Sequence, residues 1–402
     1  MKEQNVRPML FTPITIRGVT IRNRIMLSPM NQHRAHDGFA DDSLLVHLGK
    51  FALGGFGIIM TEATAIERNG RVAHGDLGIW ADEHIPGLRR VCNYLRNMGA
   101  TPGVQLAHSG RKGASQRPWQ GFGPLNETDA KRGEPPWPLV SPTREALGPG
   151  HVVPEQLSLD GIDDVLRSYA NAAARADAAG FDIIEVHAGH GYLIASFLSP
   201  VINTRNDEYG GDFAGRIRFA LKVAEAVRSH WPQHKPLIFR LSSVDGHPEG
   251  WKIEDSVNLA RELKRCGVDI IDCSSGGLRQ STALENAKRY PGYQVTYASQ
   301  IKREAGIATV AVGLILDGRQ AEQVLNEQHA DFVAIGRQAL YDPFWAHHAA
   351  QEFGIDPNFE SWDVSAGWWL AKRKDGLAEI GLNGAGKVER SLRERTDAMR
   401  DR

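Results

Sequence analysis

Continuous apolar runs, rather than alternating ones, recur along the chain: 24–30, 57–64, 101–108, 181–188, 237–243, 269–275, 308–315 and 331–337. Unbroken β-prone runs of this length suit strands buried on both faces of a parallel sheet. The gaps between them carry helical spacing. In "SLDGIDDVLRSYANAAARADAAG", Ser158 is placed to cap a helix start and Gly180 to stop it. Eight strand–helix units in one chain predict an α/β fold, a closed (β/α)8 TIM barrel, with an open doubly wound sheet as the alternative. Two stretches fall outside the repeat. Residues 11–22, "FTPITIRGVTIR", read as a β-hairpin around Gly18 that closes the barrel floor. Residues 109–157, rich in Pro, Gly and Trp, form a long excursion after the third strand. That places them at the catalytic end of such a barrel, as a cap. The expected organisation is one barrel domain over 1–370, followed by a charged tail or helix over 371–402.

Composition narrows the class. The chain has 402 residues, 42% apolar and 24% charged, with a formal net charge of −1. That is globular, and it gives no electrostatic reason to expect nucleic acid or a membrane as partner. No apolar run is long enough to span a bilayer. The start, "MKEQNVRPMLFTP", has no signal-peptide core, so the expectation is a cytoplasmic protein. Cys92, Cys266 and Cys273 show no metal or disulfide spacing.

In a barrel of this class the chemistry sits at the C-terminal ends of the strands. Those ends offer Ser28, Pro29, Met30, Asn31, Gln32 and His33 after strand 1, then Glu62 and Ala63 after strand 2. Gln105 and His108 follow on strand 3, and His187, His190 and Tyr192 after strand 4. Arg240 lies in strand 5, Gly313 ends strand 7, and Gly336 and Arg337 end strand 8. His187 and His190 as metal ligands would want a third histidine or a carboxylate. Glu185 shares the face of His187 but completes no open zinc site, so no metal is expected. As hydrogen-bond donors the two histidines suit an oxygen that gains negative charge, with Tyr192 as general acid. Arg240 inside "LIFRLSS" needs an anionic partner, either a barrel carboxylate such as Glu185 or an anionic cofactor. Backbone at the ends of strands 7 and 8, with Arg337 beside it, suits a phosphate. A phosphate site, a buried arginine and an amide at Gln105 together describe a pocket for flavin mononucleotide (FMN).

The sequence resembles the old yellow enzyme family of flavin-dependent ene-reductases, in particular its bacterial xenobiotic reductase branch. The stretches that carry the resemblance include "LFTPITIRGVTIRNRIMLSPM", "GVQLAHSGRK", "AGFDIIEVHAGHGYLIASFLSP" and "NDEYGGDFAGRIRF". It covers about residues 10 to 350. The resemblance implies FMN contacts from Ser28, Pro29, Met30, Asn31, Ala63, Gln105, Arg240, Gly313, Gly336 and Arg337. It implies that His187 and His190 grip the oxygen of an electron-poor alkene or aromatic. It makes Tyr192 the proton donor and NADPH or NADH the reductant in the same pocket. Three positions depart from the branch. Asn31 stands where cysteine is common and His33 where tyrosine is common. Ala366–Gly367–Trp368 stands where some relatives have an Arg-Gly-Trp stretch whose arginine reaches a neighbouring subunit, so Trp368, or Trp369 beside it, is the candidate to cap a substrate site, its own or a neighbour's. A homodimer or homotetramer is expected.

The reading is therefore an NAD(P)H-dependent FMN ene-reductase. Amine demethylation, aromatic reduction or oxygen-dependent oxidation at the same flavin site is the alternative. A non-redox phosphate-binding lyase or isomerase is more remote.

Overall fold

The computed structural model describes residues 7–278 and 289–382. Eight parallel strands close into a barrel: β1 (Ile25–Leu27), β2 (Ile58–Ala65), β3 (Thr101–Ala107), β4 (Ile183–Ala188), β5 (Leu237–Ser242), β6 (Ile270–Ser274), β7 (Ala308–Val312) and β8 (Phe332–Ile335). Each strand pairs with its sequence neighbours, and β8 pairs with β1 to close the ring. All eight lie where the apolar runs place them, with ends that shift by up to three residues.

The helices that cover the barrel carry their apolar faces inward. They are α1 (Asp42–Leu53), α2 (Ile85–Asn97), α3 (Leu159–Ala179), α4 (Phe213–His230), α5 (Ile253–Arg265), α6 (Val295–Ala305), α7 (Gly318–Asn326) and α8 (Trp345–Glu352). In α3, Ser158 Oγ accepts from the Gly161 amide, and Gly180 ends the helix at φ +91°. Leu48, Phe51, Leu88, Leu95, Phe219 and Leu259 are among the side chains buried between helices and strands. Each such residue contributes roughly 1.5–3 kcal/mol through burial.

Inside the barrel the period-2 alternation of a strand sorts side chains into layers. Met26, Ile58, Met60, Ile183, Ile238, Ile270, Val310 and Phe332 fill the lower interior. The hairpin pairs Ile14–Ile16 with Val19–Ile21, and Ile21 packs against this cluster from below, so it closes the floor as expected. Gly103 is needed on β3 because a Cβ there would lie 2.2 Å from Met60 Sδ. Two residues further up, the inward positions turn polar on β1, β3, β4, β5 and β6 (Ser28, Gln105, Glu185, Arg240 and Asp272) and stay apolar on β7 and β8 (Val312 and Ala334).

Residues 109–157 form the excursion. It contains a short helix, Glu127–Lys131, and a two-residue parallel pair, Val140–Ser141 with Glu155–Gln156. After α8 a further helix, α9 (Val364–Glu379), runs through position 371, where the sequence placed a boundary. The rest of the charged tail, 383–402, lies outside the described residues. Among the described residues, no helix is long and apolar enough to cross a membrane.

Candidate active site

β4 delivers Ile183, Glu185 and His187 to the interior in succession: apolar, carboxyl, imidazole. The neighbouring strands repeat the sequence with Ile238, Arg240 and Ser242 on β5, and Ile270, Asp272 and Ser274 on β6. The register sets Asp272 beside Arg240 and Ser274 beside Ser242. The polar layer therefore follows from alternation alone, while its pairing follows from register.

Above this layer a cavity of about 390 Å³ opens, lined by Pro29, Asn31, His33, Ala63, Val72, Gln105, Pro118, Phe122, His187, His190, Tyr192 and Arg240. Nine of the site residues inferred from sequence line it together. They come from strands 1 to 5 and the loops that follow them, and Pro118 and Phe122 of the excursion line the same cavity. Ser28 borders the cavity through Arg240. Met30 lies beside Gly336, its sulfur 3.9 Å from where a Cβ at Gly336 would be. Gly313 directly follows β7, and Gly336 and Arg337 directly follow β8, but these three do not line this cavity. Among the described residues, Arg337 makes no ion pair. Trp368 sits exposed on α9, outside the cavity. A larger cavity of about 610 Å³ lies beside Arg22 and Asn23, ahead of β1, so at the opposite end of the barrel from the chemistry.

The histidine pair is a hydrogen-bonded chain. His187 Nε2 and His190 Nδ1 are 3.1 Å apart, and His190 Nε2 is 2.8 Å from Ser274 Oγ. The Gly189 amide donates to His187 Nδ1 at 3.4 Å. That assigns the proton of His187 to Nε2, which donates to His190, whose own Nε2–H donates to Ser274. Burial, reinforced by Arg240 and Lys112, holds both imidazoles well below the ordinary histidine range, so both are neutral. Tyr192 packs edge-on to His187, with ring centroids 5.0 Å apart, and burial pushes its hydroxyl well up. Lys112 Nζ donates to the carbonyls of His190 and Gly277, at 2.9 and 3.0 Å, and lies 5.7 Å from the Tyr192 ring. Desolvation lowers this ammonium to about 7.

Arg240 corrects one expectation. Its ion-pair partner is Asp272, at 3.2 Å from Nη1, not Glu185. Among the described residues, Arg240 and Asp272 are paired by charge rather than by an aligned hydrogen bond, and the Asp272 carboxyl lies beside that of Glu185. Arg240 Nη1 also donates to Ser28 Oγ at 2.9 Å, while Nε is buried without a partner. Glu185 instead accepts from Gln105 Nε2 at 2.8 Å. Burial, with the Asp272 charge, raises Glu185 well above the ordinary carboxylate range, and Arg240 and Gln105 offset this only in part. Asp272 therefore balances Arg240 from beside it, and the rest of the guanidinium is available at the cavity.

The loop after β1 is positioned by β2. A bulge in β2 between Met60 and Ala63 shifts the ladder there. Ala63 donates its amide to Asn31 Oδ1 at 3.1 Å, and Glu62 Oε2 accepts from the Gln32 and His33 amides at 2.7 and 3.3 Å. Burial, with the Asp76 charge nearby, pushes the Glu62 carboxyl up to about 7. His33 Nδ1 lies 2.5 Å from Asp76 Oδ1, and Asp76 Oδ2 accepts from the Val72 and Ala73 amides. Burial alone would lower the His33 pKa, but the Asp76 carboxylate, with Glu62, raises it on balance.

Sequence reasoning missed Asp76, Asp272, Lys112 and Ser274 as members of the site. Asp272 and Ser274 carried a signal: they continue the inward alternation of "DIIDCSS". The pairing of Asp76 with His33, across 43 positions, carried none.

A parallel barrel whose mouth gathers one guanidinium, two carboxamides and a His–His–Tyr cluster is the architecture of a flavin-dependent oxidoreductase. The comparisons agree. A model of the NADH:flavin oxidoreductase / NADH oxidase family matches residues 9–354. An NADPH dehydrogenase of Geobacillus sp. (strain WCH70) is 42% identical over 86% of this chain and 95% of its own length. An NADPH dehydrogenase of Bacillus cytotoxicus is 41% identical over 86% and 93%. Among solved structures, morphinone reductase superposes with a TM-score of 0.71 at 25% identity, covering 87% of this chain and 91% of that one. The chain belongs to the NADH:flavin oxidoreductase / NADH oxidase family, the old yellow enzyme family that its sequence resembles.

Proposed function

We propose that this protein is an NAD(P)H-dependent, FMN-containing ene-reductase of the xenobiotic reductase-like branch, acting on enones, nitroalkenes or related electron-poor compounds. The observation that carries the reading is that His187, His190 and Tyr192 face the same cavity as Arg240, Gln105 and Asn31. The donor set fits a flavin. Arg240 presents an underused cation, the carboxamide of Gln105 is oriented by Glu185, and that of Asn31 by Ala63. Arg337, which makes no ion pair among the described residues, and the backbone at Gly313 and Gly336 would hold the phosphate, with Ser28, Pro29, Met30 and Ala63 along the ring. Bound FMN supplies the hydride for the β-carbon of the alkene. The names of the curated relatives support NADPH as reductant.

The protein's own part follows from the hydrogen bonds. The neutral His187 and His190 turn N–H groups from each other and from Ser274 onto the substrate oxygen, where developing enolate charge strengthens them. Tyr192, kept protonated by burial, delivers the proton to the α-carbon. Pro118 and Phe122 keep water from the mouth. The amine reading has less support, because His187, His190, Tyr192 and the Arg240 guanidinium form a donor set that suits an oxygen gaining negative charge rather than a cationic amine.

The test is stopped-flow reoxidation of photoreduced enzyme by cyclohexenone without oxygen. His187→Ala and His190→Ala are each expected to slow it by about 10²–10³ while flavin content holds. Wild-type rates in both variants would make the pair structural, and no reoxidation of the wild type would remove the ene-reductase reading. Trp368 and Trp369, exposed on α9, suit the expected homodimer or homotetramer, and sedimentation velocity decides that point.

A further inference from the structure

A second cavity, of about 560 Å³, lies against the first, and Arg68, Arg71, Arg117 and Arg132 line it. The two share a wall. Val72 and Pro118 face the flavin pocket, while their chain neighbours Arg71 and Arg117 face the other cavity. Arg117 Nε donates to the carbonyl of His33 across this wall.

Three of the four arginines are already paired. Arg68 binds Asp37 at 2.9 Å, Arg117 binds Glu134 at 2.6 Å, and Arg132 binds Asp129 and Glu134. Arg71 is different. It is 6% exposed, and its Nε donates to the Arg68 carbonyl. Its guanidinium carbon lies 4.9 Å from the Trp137 ring and 5.6 Å from that of Trp80. Among the described residues, no carboxylate pairs with it, and its terminal nitrogens make no hydrogen bond. A buried guanidinium held by aromatic faces, with its terminal donors unused, needs an anion. The planar fork matches phosphate oxygens in particular.

We propose that this cavity is a phosphate subsite for the dinucleotide reductant. Arg71 takes a phosphate of NADPH, and Arg68 lines the rim. The nicotinamide enters the flavin pocket on the other side of the shared wall. This rests on the flavin pocket being where the nicotinamide docks. NADPH brings two phosphate sources, its pyrophosphate and its 2′-phosphate, and both present the same chemistry to Arg71.

The experiment is calorimetric titration of oxidised, FMN-loaded protein with 2′,5′-ADP and with ADP, together with KM for NADPH and NADH. Arg71→Met keeps the packing length between the tryptophans. Arg68→Glu reverses a charge on an exposed side chain and carries the decision if Arg71→Met does not fold. Both variants are expected to weaken binding about tenfold or more, the scale of a lost charge-assisted hydrogen bond. Added salt is expected to weaken binding to the wild type. A preference for 2′,5′-ADP, with KM raised for NADPH alone, identifies the 2′-phosphate. Equal binding of both, with KM raised for both dinucleotides, identifies the pyrophosphate, and either result supports the subsite. The proposal is overturned if the wild type binds neither nucleotide, or if the variants match it in both affinities and both KM values. These titrations use no alkene, so their failure leaves the ene-reductase reading standing, and the reverse also holds.

Discussion

Asn31 stands where the branch that the sequence resembles commonly has cysteine, and its carboxamide is oriented by a bond that a cysteine cannot make in the same way. Oδ1 accepts the Ala63 amide from β2, which leaves the NH₂ as the donor at the cavity. Asn31→Cys is expected to lower the flavin midpoint potential by about 20–30 mV. One lost hydrogen bond is worth about 1 kcal/mol, and about 30 mV corresponds to roughly 1.4 kcal/mol for a two-electron couple. An unchanged potential with a lowered melting temperature would make Asn31 only a cap of its turn. His33 gives a pH signature. Its pKa is raised in the folded chain, so its pair with Asp76 contributes in full below the unfolded value of about 6.5. The contribution is lost as pH rises through the higher folded value. His33→Gln is therefore expected to cost about 1–3 kcal/mol at mildly acidic pH and less in alkaline buffer, read as the variant-minus-wild-type difference in urea unfolding. A difference that is flat with pH would rule out the charged pair. Both residues were marked by the sequence as departures, but the partners that define their chemistry, Ala63 and Asp76, belong to other elements.

At the scale of the element, strand period does most of the placing. The same two-residue step that puts Ile183, Ile238 and Ile270 in the lower interior puts Glu185, Arg240 and Asp272 above them, and His187, Ser242 and Ser274 at the rim. The β2 bulge is the exception to that regularity: one extra residue re-aims Glu62 and Ala63 at the loop after β1. No local signal in "GIIMTEAT" marks it, because the bulge is defined against the β3 register. The end of β7 depends on its glycine. Gly313 has φ +117°, and a Cβ there would lie 2.7 Å from Gln294 Nε2. Gly313→Ala is expected to destabilise the protein by about 1–3 kcal/mol and to lower the bound flavin per subunit, checked by chemical denaturation and by absorbance of the purified protein. Full flavin content and wild-type stability would show that the strand end tolerates a side chain.

At the scale of the molecule, a cofactor held between loops of several strands is expected to couple to global stability. At 100 times Kd, FMN should add about 2.7 kcal/mol, seen as a melting temperature that rises with added FMN. Arg337→Ala should weaken FMN retention about tenfold or more and reduce that rise. Mass spectrometry of the released chromophore is expected to give FMN, and FAD would contradict the single-phosphate site.

By itself the sequence determined the eight-stranded barrel, its hairpin floor, and which positions at the ends of β1 to β5 line the cavity. These are local properties: apolar run length, helical spacing, caps, and the two-residue period that fixes which side chains face inward. Tertiary structure decided who partners whom. Arg240 meets Asp272 rather than Glu185 because the β5–β6 register sets those two side by side, while Glu185 is drawn to Gln105 on β3. His33 meets Asp76, and Arg71 is left between two tryptophans with no carboxylate in ion-pair contact among the described residues, for the same reason. Hydrogen bonds and ion pairs act over a few ångströms, and only closure of the barrel and folding of the loops above it bring such distant positions that close.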